Sequence, residues 1–359
     1  MTLILKKLAY IELDTHAEIA QNFVEVMRGS AAFTVDYHFS EKIYRQLSNV
    51  EAENIIISDS SLILDQLKTK KYDLVIIGTV HRYFNTFRIL AERYPTAIIV
   101  HNLNFSKASP LALLKSIFRA DRLYRLKLFL KEGLLLAGKV YQKAGSLLVL
   151  DPALSSGRYL YLPLFYTKET EHAESKILTV VIPGGVSQQR RDYLRVLKMI
   201  REWENNFRNG SIRAQLVEFV FLGKAAGPLL DDLASLERSL EYVSIRYFSE
   251  RVSQAEFGTW MRKADVLWCP VQQETEFFSQ PEQYGTTKMT GNIGDAITFG
   301  KPAVFPPAYP SLLDFIVPEE QDLLQQLNHL KKSGFDFTEH YNLEKVRTDL
   351  ENLLKSLVI

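Results

Sequence analysis

The chain contains a single cysteine, Cys269, in 359 residues. One cysteine excludes an intrachain disulfide and any cysteine-cluster zinc site. Lying within the apolar run VLWCP, its thiol reads as a buried structural group. No stretch approaches the roughly 18 apolar residues that cross a membrane. The opening MTLILKKLAYIELD has two lysines after four residues and no long apolar core, so no secretory signal is expected. Net charge is also lacking, with 43 basic against 42 acidic residues and a formal charge of +1. A dedicated nucleic-acid binder carries a strong basic excess, so that class is set aside. There is no DxD and no histidine pair at metal-ligand spacing. The nearest acidic cluster, ETE at 274–276, reads as exposed loop charge. GxGxxG, P-loop and GxSxG patterns are missing too, which weighs against nicotinamide enzymes, P-loop kinases and serine hydrolases. Together these absences point to a reducing, cytoplasmic setting.

What is present is a β/α rhythm that runs twice. The length predicts two domains, and 47% hydrophobic with 24% charged residues is the balance of a globular chain. In the first half, LAYIEL (8–13), NIIIS (54–58), DLVIIG (73–78), PTAIIVHN (95–102) and SLLVL (146–150) are short strand-like runs, the later ones apolar throughout. Runs of that kind suit a parallel sheet covered by helices. An amphipathic helix is expected from Ala17 to Arg28. The polar segment YTKETEHAESKI marks a linker over 166–176, dividing a domain at 1–165 from one at 177–335. In the second half, strands are expected at 177–185, 216–224, 243–248, 265–271 and 302–306. The fold class expected is therefore α/β, two Rossmann-like doubly wound domains facing across a cleft. The tail 336–359 puts Leu343, Val346, Leu350, Leu353, Leu354 and Leu357 on one helical stripe, which docks on its own domain or crosses back to the first.

Open α/β sheets bind ligands beyond the carboxyl ends of their strands. In the first half that rule selects Asp14, Thr15 and His16 after one strand and His101 and Asn102 after another. In the second it selects Gly184, Gly185 and Ser187, with Arg190 and Arg191 beyond, and then Gly223 and Lys224. The segment YGTTKMTGNIGDAITFGKP (284–302) opens a helix at Thr290, Gly291 and Asn292, puts Asp295 in its first turn and closes at Gly300. Good capping accounts for this pattern. So does an anion site, in which free amides meet a phosphate and glycine permits close approach. Arg191 and Lys288, with the amides of Gly291 and Asn292, suit a diphosphate. Lys301, past the helix end, is placed to neutralise the negative end of the dipole.

Two Rossmann halves, a glycine turn opening the second, and the stretch GDAITFGKPAVFP resemble a GT-B glycosyltransferase. The likeness is closest to the large retaining group known as family 4, which includes mannosyl- and sucrose-type transferases. There a helix of the form E-A-M-A-x-G-x-P-V follows the phosphate loop, and GDAITFGKPAV aligns with it. The run RYFSERVSQAEFGTWMRKADVLWCPV resembles the segment that precedes it in those proteins. Of the family's two glutamates, the second is Asp295, which the likeness assigns to the ribose hydroxyls, and the first falls on Thr287. The family's Gly-Arg is Gly184-Gly185, and its lysine is Arg191. His101 falls where the family places a histidine beside the donor sugar. His16 falls where inverting GT-B enzymes place a general base. The resemblance implies a hexosyl-type transferase with a UDP- or GDP-linked sugar as donor and a glycan or lipid-linked acceptor, in surface polysaccharide synthesis. It implies neither a tightly bound cofactor nor a metal. A nucleotide-sugar 2-epimerase and a non-catalytic scaffold of the same fold are the alternatives.

From Lys115 to Lys143 the chain has eight Lys/Arg against two Asp/Glu among large apolar residues. Such a stretch lies on an anionic membrane at the inner face, or it is a helix pair whose long basic side chains rise from a core face.

Overall fold

The computed structural model describes residues 5–48, 54–118, 121–168, 175–211 and 216–358. Most of the expected linker, 169–174, and Arg119 of the basic stretch lie outside these residues. The chain forms two compact units. Unit 1 is Met1–Phe165 with Glu276–Met289 and Asn342–Ile359; unit 2 is Tyr166–Thr275 with Thr290–Tyr341.

Unit 1 is built on a seven-stranded sheet. Its strands are β1 (Lys6–Glu12), β2 (Phe33–Phe39), β3 (Ile55–Ile57), β4 (Leu74–Ile77), β5 (Thr96–Ile99), β6 (Ser146–Val149) and β7 (Tyr159–Tyr161). All pair in parallel, in the order β3-β2-β1-β4-β5-β6-β7. The apolar runs are strands because both of their faces are covered: Leu74 to Ile77 and Ala97 to Ile99 are buried without exception. Strand β2 was not expected. Its FTVDYHF alternates β-branched and aromatic residues with the buried polar groups Asp36 and His38, which break the apolar run that marks its neighbours. The helix Ala17–Met27 packs beside β1, and the C-terminal helix Leu343–Leu357 packs on it through Val346, Leu350 and Leu354. Arg347 Nε donates to the Val26 carbonyl at 2.8 Å, and Ser30 Oγ donates to Glu351 at 2.6 Å.

Unit 2 repeats the plan. Strands β8 (Leu178–Pro183), β9 (Val217–Lys224), β10 (Val243–Phe248) and β11 (Val266–Trp268) precede a two-stranded sheet, β12 (Glu274–Phe277) and β13 (Gln280–Gln283). Then come β14 (Ala303–Phe305) and β15 (Ile316–Pro318). The six-stranded parallel sheet runs β10-β9-β8-β11-β14-β15. Cys269 is fully buried beyond β11, and burial pushes its thiol pKa well up.

Residues 276–289, counted with the second half by the rhythm of the sequence, cluster with unit 1. The reason is packing. Phe278 lies 5.3 Å from Phe105, and buried Glu282 accepts the amide hydrogens of Phe105 (2.8 Å) and Asn104 (3.3 Å) at the start of helix Leu103–Ser106. The ETE residues, read as loop charge, begin this hairpin instead. Its turn places Phe278 and Ser279 at φ 48 and 56. Such a turn normally takes Asn-Gly, and here aromatic packing holds a bulky residue in the left-handed region.

Candidate functional site

In unit 1 the sheet order reverses between β1 and β4, since the chain builds outward from β1 through β3 and then from β4 through β7. Ligand sites of doubly wound sheets form at that reversal, beyond the strand carboxyl ends. The residues leaving β1, β4 and β5 there are titratable. Glu12, the last residue of β1, is fully buried. Its Oε1 accepts the amide hydrogens of Asp14 (3.3 Å) and Thr15 (3.4 Å), and its Oε2 accepts the Thr79 hydroxyl at 2.6 Å. A Cβ on Gly78 would stand 2.5 Å from Glu12 Oε2 and 2.8 Å from the Tyr10 hydroxyl, so a side chain there would displace the carboxyl. Burial raises the Glu12 pKa to about 7, against the lowering pull of the Thr79 hydroxyl and the His16 charge. Near neutrality this carboxyl therefore both gives and takes protons.

Three imidazoles surround it. His16 begins the helix Ala17–Met27 in left-handed backbone, φ 61 and ψ 44, a conformation that costs a non-glycine residue about 1–2 kcal/mol. Its ring stacks on His101 at 4.0 Å, and His81 meets both edge-on at 5.8 and 5.6 Å. His101 Nε2 lies 2.9 Å from the Gly78 carbonyl, which only accepts, so Nε2 carries the proton and Nδ1 keeps its lone pair. Burial, then the neighbouring His16 charge, holds His101 and His81 far below the ordinary histidine pKa. Burial also opposes charge on His16, but the Glu18 carboxylate at 2.9 Å and Glu12 raise it above the ordinary value. The cluster thus holds one imidazole that charges readily and two that stay neutral, which is how acid and base roles separate. Lys288 lowers all three electrostatically. Its Nζ lies over the rings of Phe277 (5.8 Å) and Tyr284 (5.6 Å), within unit 1. The structure therefore sets Lys288 among the histidines. Thr287 serves the hairpin: its carbonyl accepts the Leu103 amide at 2.8 Å and its hydroxyl accepts the Gln283 amide at 2.8 Å.

Glu12, Thr79 and His81 escaped the sequence reading. Glu12 left a signal, a charged residue closing an otherwise apolar strand; Thr79 and His81 left none.

Unit 2 has its own reversal, between β8 and β11. Gly184 turns there at φ 100, and a Cβ on it would meet the Arg191 guanidinium at 2.4 Å. Gly223 is fixed by the same close approach, with its Cβ position 2.3 Å from the Gly184 carbonyl. Arg191 is buried; its Nη2 donates to Asn292 Oδ1 at 2.9 Å and its Nη1 to the Gly185 carbonyl at 3.4 Å, while its Nε is buried without a hydrogen bond. Asn292 Nδ2 donates in turn to the Pro183 carbonyl and to Asp295 Oδ2, both at 3.2 Å. The helix Asn292–Phe299 is preceded by Gly291, and the Thr290 hydroxyl accepts the Asn292 amide at 3.4 Å. Capping falls to Thr290, while the Asn292 side chain grips Arg191, because a buried guanidinium demands acceptors. Beside Gly185 and Gly291 a Cβ would meet nothing within 4 Å, so neither glycine is required sterically. Lys224 ends β9 exposed. Lys301 is buried beyond the helix, where its Nζ donates to the Arg262 carbonyl at 2.9 Å. Among the described residues no group of three or more His, Cys, Asp or Glu is arranged to hold a metal ion.

No protein-family model matches the chain, and no curated protein matches it. Solved structures do. HepE of Anabaena, solved with UDP, aligns over 98% of this chain and 100% of its own at 12% identity, with a TM-score of 0.56. The UDP-GlcNAc 2-epimerase of Methanocaldococcus jannaschii aligns over 98% and 99% at 11% identity, TM-score 0.52. A UDP-glucose:anthocyanidin 3-O-glucosyltransferase, solved with UDP, aligns over 99% of both chains at 9% identity, TM-score 0.51. The fold is GT-B. At these identities the likeness is one of fold, and these structures include a glucosyltransferase and an epimerase.

Proposed function

We propose that this GT-B protein is a hexosyl-type glycosyltransferase that moves a sugar from a nucleotide-diphosphate donor to a glycan or lipid-linked acceptor, in surface polysaccharide synthesis. The observation that carries the reading is Arg191. A buried guanidinium with an unused Nε stands at the sheet reversal of unit 2, braced by Asn292 beside the open approach at Gly185 and Gly291. A departing nucleoside diphosphate accumulates negative charge, and preorganised donors aimed at it are the largest need of the reaction. Arg191 and the Thr290–Asn292 backbone take that role without added metal. Asp295 takes the ribose hydroxyls, as the family likeness implies. In unit 1, Glu12 and His16 move the proton, and His101 Nδ1 accepts a sugar hydroxyl, with burial above all keeping His81 and His101 neutral.

The same unit 1 cluster favours a second reading, a nucleotide-sugar 2-epimerase, which needs acid and base groups but no acceptor. Calorimetric titration with UDP and GDP in EDTA tests the donor assignment. Binding is expected, and no binding of either nucleotide would overturn it. An absolute manganese requirement would remove the metal-free mechanism. Incubation with UDP- and GDP-sugars then separates the readings. Nucleotide release that depends on acceptor supports the transferase, and a C2 epimer formed without acceptor supports the epimerase.

A further inference from the structure

We propose that the outward faces of two short helices in unit 1, Pro110–Ile117 and Arg122–Lys127 with the turn Leu128–Glu132 that continues it, form a docking surface for an anionic lipid bilayer. The sequence repeats itself there. LALLKSIF (111–118) and LYRLKLFL (123–130) share leucine at the first and fourth places, lysine at the fifth and a large apolar residue at the eighth. On a helix those four places fall on one face. In both copies that face is turned to solvent: Phe118 is 68% exposed, Leu123 86% and Leu130 69%, with Leu111, Leu114 and Leu126 also exposed.

The inward faces are already occupied, by Leu113 and Ile117 in one copy and Leu128 in the other. A helix that serves only a core shows a polar outer face; these two are apolar on both. Among the described residues, seven of the fifteen exposed large hydrophobic residues lie between Leu111 and Leu130. That concentration is a patch of the kind that marks an interaction surface.

Charge selects the occupant. Lys115, Arg122, Lys127 and Lys131 are exposed in the same stretch. Arg125 turns inward instead, donating to the Ser116 carbonyl (2.8 Å) and Ser279 Oγ (2.6 Å). The acidic residue Glu132 is buried and tied to Arg82 at 2.7 Å, leaving Asp121 as the exposed acid of the stretch. A second copy docked about a two-fold axis would set these cations against themselves. An anionic bilayer satisfies both features at once, taking leucine and phenylalanine at the headgroup–acyl boundary and the cations among its phosphates. Among the described residues no helix is long and apolar enough to cross a membrane, so the surface lies on the bilayer. This binding is independent of the nucleotide site.

The test is co-sedimentation of the full chain with vesicles of phosphatidylcholine alone and of phosphatidylcholine with phosphatidylglycerol, at low and high salt. The chain is expected to follow the anionic vesicles and to be released by salt. Lys115→Ala with Lys127→Ala should lower partition about 20- to 30-fold, at roughly fivefold per cation. Leu123→Ser with Leu130→Ser should abolish binding at unchanged melting temperature, since both side chains are exposed. Equal partition onto neutral and anionic vesicles, or wild-type binding by both double variants, would overturn the proposal. So would a lipid-free dimer, seen in sedimentation velocity, that Leu123→Ser with Leu130→Ser dissolves.

Discussion

The two sheet reversals have the same topology and opposite chemistry. In unit 1 the crevice is lined by groups that change charge: a carboxyl near pKa 7, three imidazoles at different set points, and one of those on strained left-handed backbone. In unit 2 the turn is built from a guanidinium held by an amide, glycine backbone and one carboxyl, Asp295, tied to that amide. One arrangement suits moving protons, the other suits holding a phosphate. The contrast shows how a single fold plan supports divided labour, with strand ends supplying position and the residues that follow them supplying chemistry.

Four experiments would break or sharpen that contrast. The largest effect is expected for His16→Asn. Asparagine tolerates left-handed backbone, and the His16 side chain makes no capping bond to lose, so melting should hold or rise by up to about 1 kcal/mol of stability. Loss of general acid–base catalysis should lower turnover on the order of 10²- to 10⁴-fold. Nucleotide affinity measured by calorimetry should stay put; if it falls instead, the division between the crevices is lost. Next, Arg191→Gln should weaken UDP or GDP binding roughly a hundredfold, since a buried hydrogen-bonded charge contributes about 2–5 kcal/mol to a charged partner. Glu12→Gln in the same titration should leave affinity unchanged, and equal losses would merge the two sites.

The third test uses pH. Folding raises the Glu12 pKa from 4.5 to about 7, so between those values the folded state keeps a proton that the unfolded state has lost. Stability from this group is full below pH 4.5 and falls as pH rises to 7, by roughly 3 kcal/mol in total. Melting curves of wild type and Glu12→Gln should therefore diverge across that window in the variant's favour as pH rises. A constant difference would mean that Glu12 stays ionised. The smallest effect separates two lysines. Lys301→Ala should cost about 1–3 kcal/mol of stability, because it removes a buried side chain together with its hydrogen bond to the Arg262 carbonyl. Lys288→Ala should leave melting nearly unchanged and raise the pKa of His16, which a histidine NMR titration reads directly. An unmoved titration would take Lys288 out of the cluster.

The architecture was legible in the sequence wherever a strand is buried on both faces. DLVIIG and ILTVVIPGG need no context to be read as parallel strands, because only apolar side chains survive there. Strand β2 was hidden because its buried Asp36 is matched by Lys70 and Tyr72, partners distant in the chain, at 2.8 and 2.6 Å. The strand-end rule likewise named His16, His101, Gly184 and Arg191, which stand at the two sheet reversals, since a loop's position follows from the order of strands.

The sequence by itself determined the β/α rhythm, the glycines at the second reversal and the repeated apolar-basic helices, all set by local periodicity and backbone sterics. Only the tertiary structure decided which charges meet. It placed Lys288 with the histidines, because Phe277, Phe278 and Glu282 seat their segment in unit 1. It buried Lys301, and it closed Glu12, Thr79 and three imidazoles around one another from the ends of β1, β4 and β5, with Glu12 and Thr79 67 residues apart. Periodicity is a property of neighbours along the chain. Proton affinity depends on burial and on charges brought near in space, and these exist only once the strands have paired.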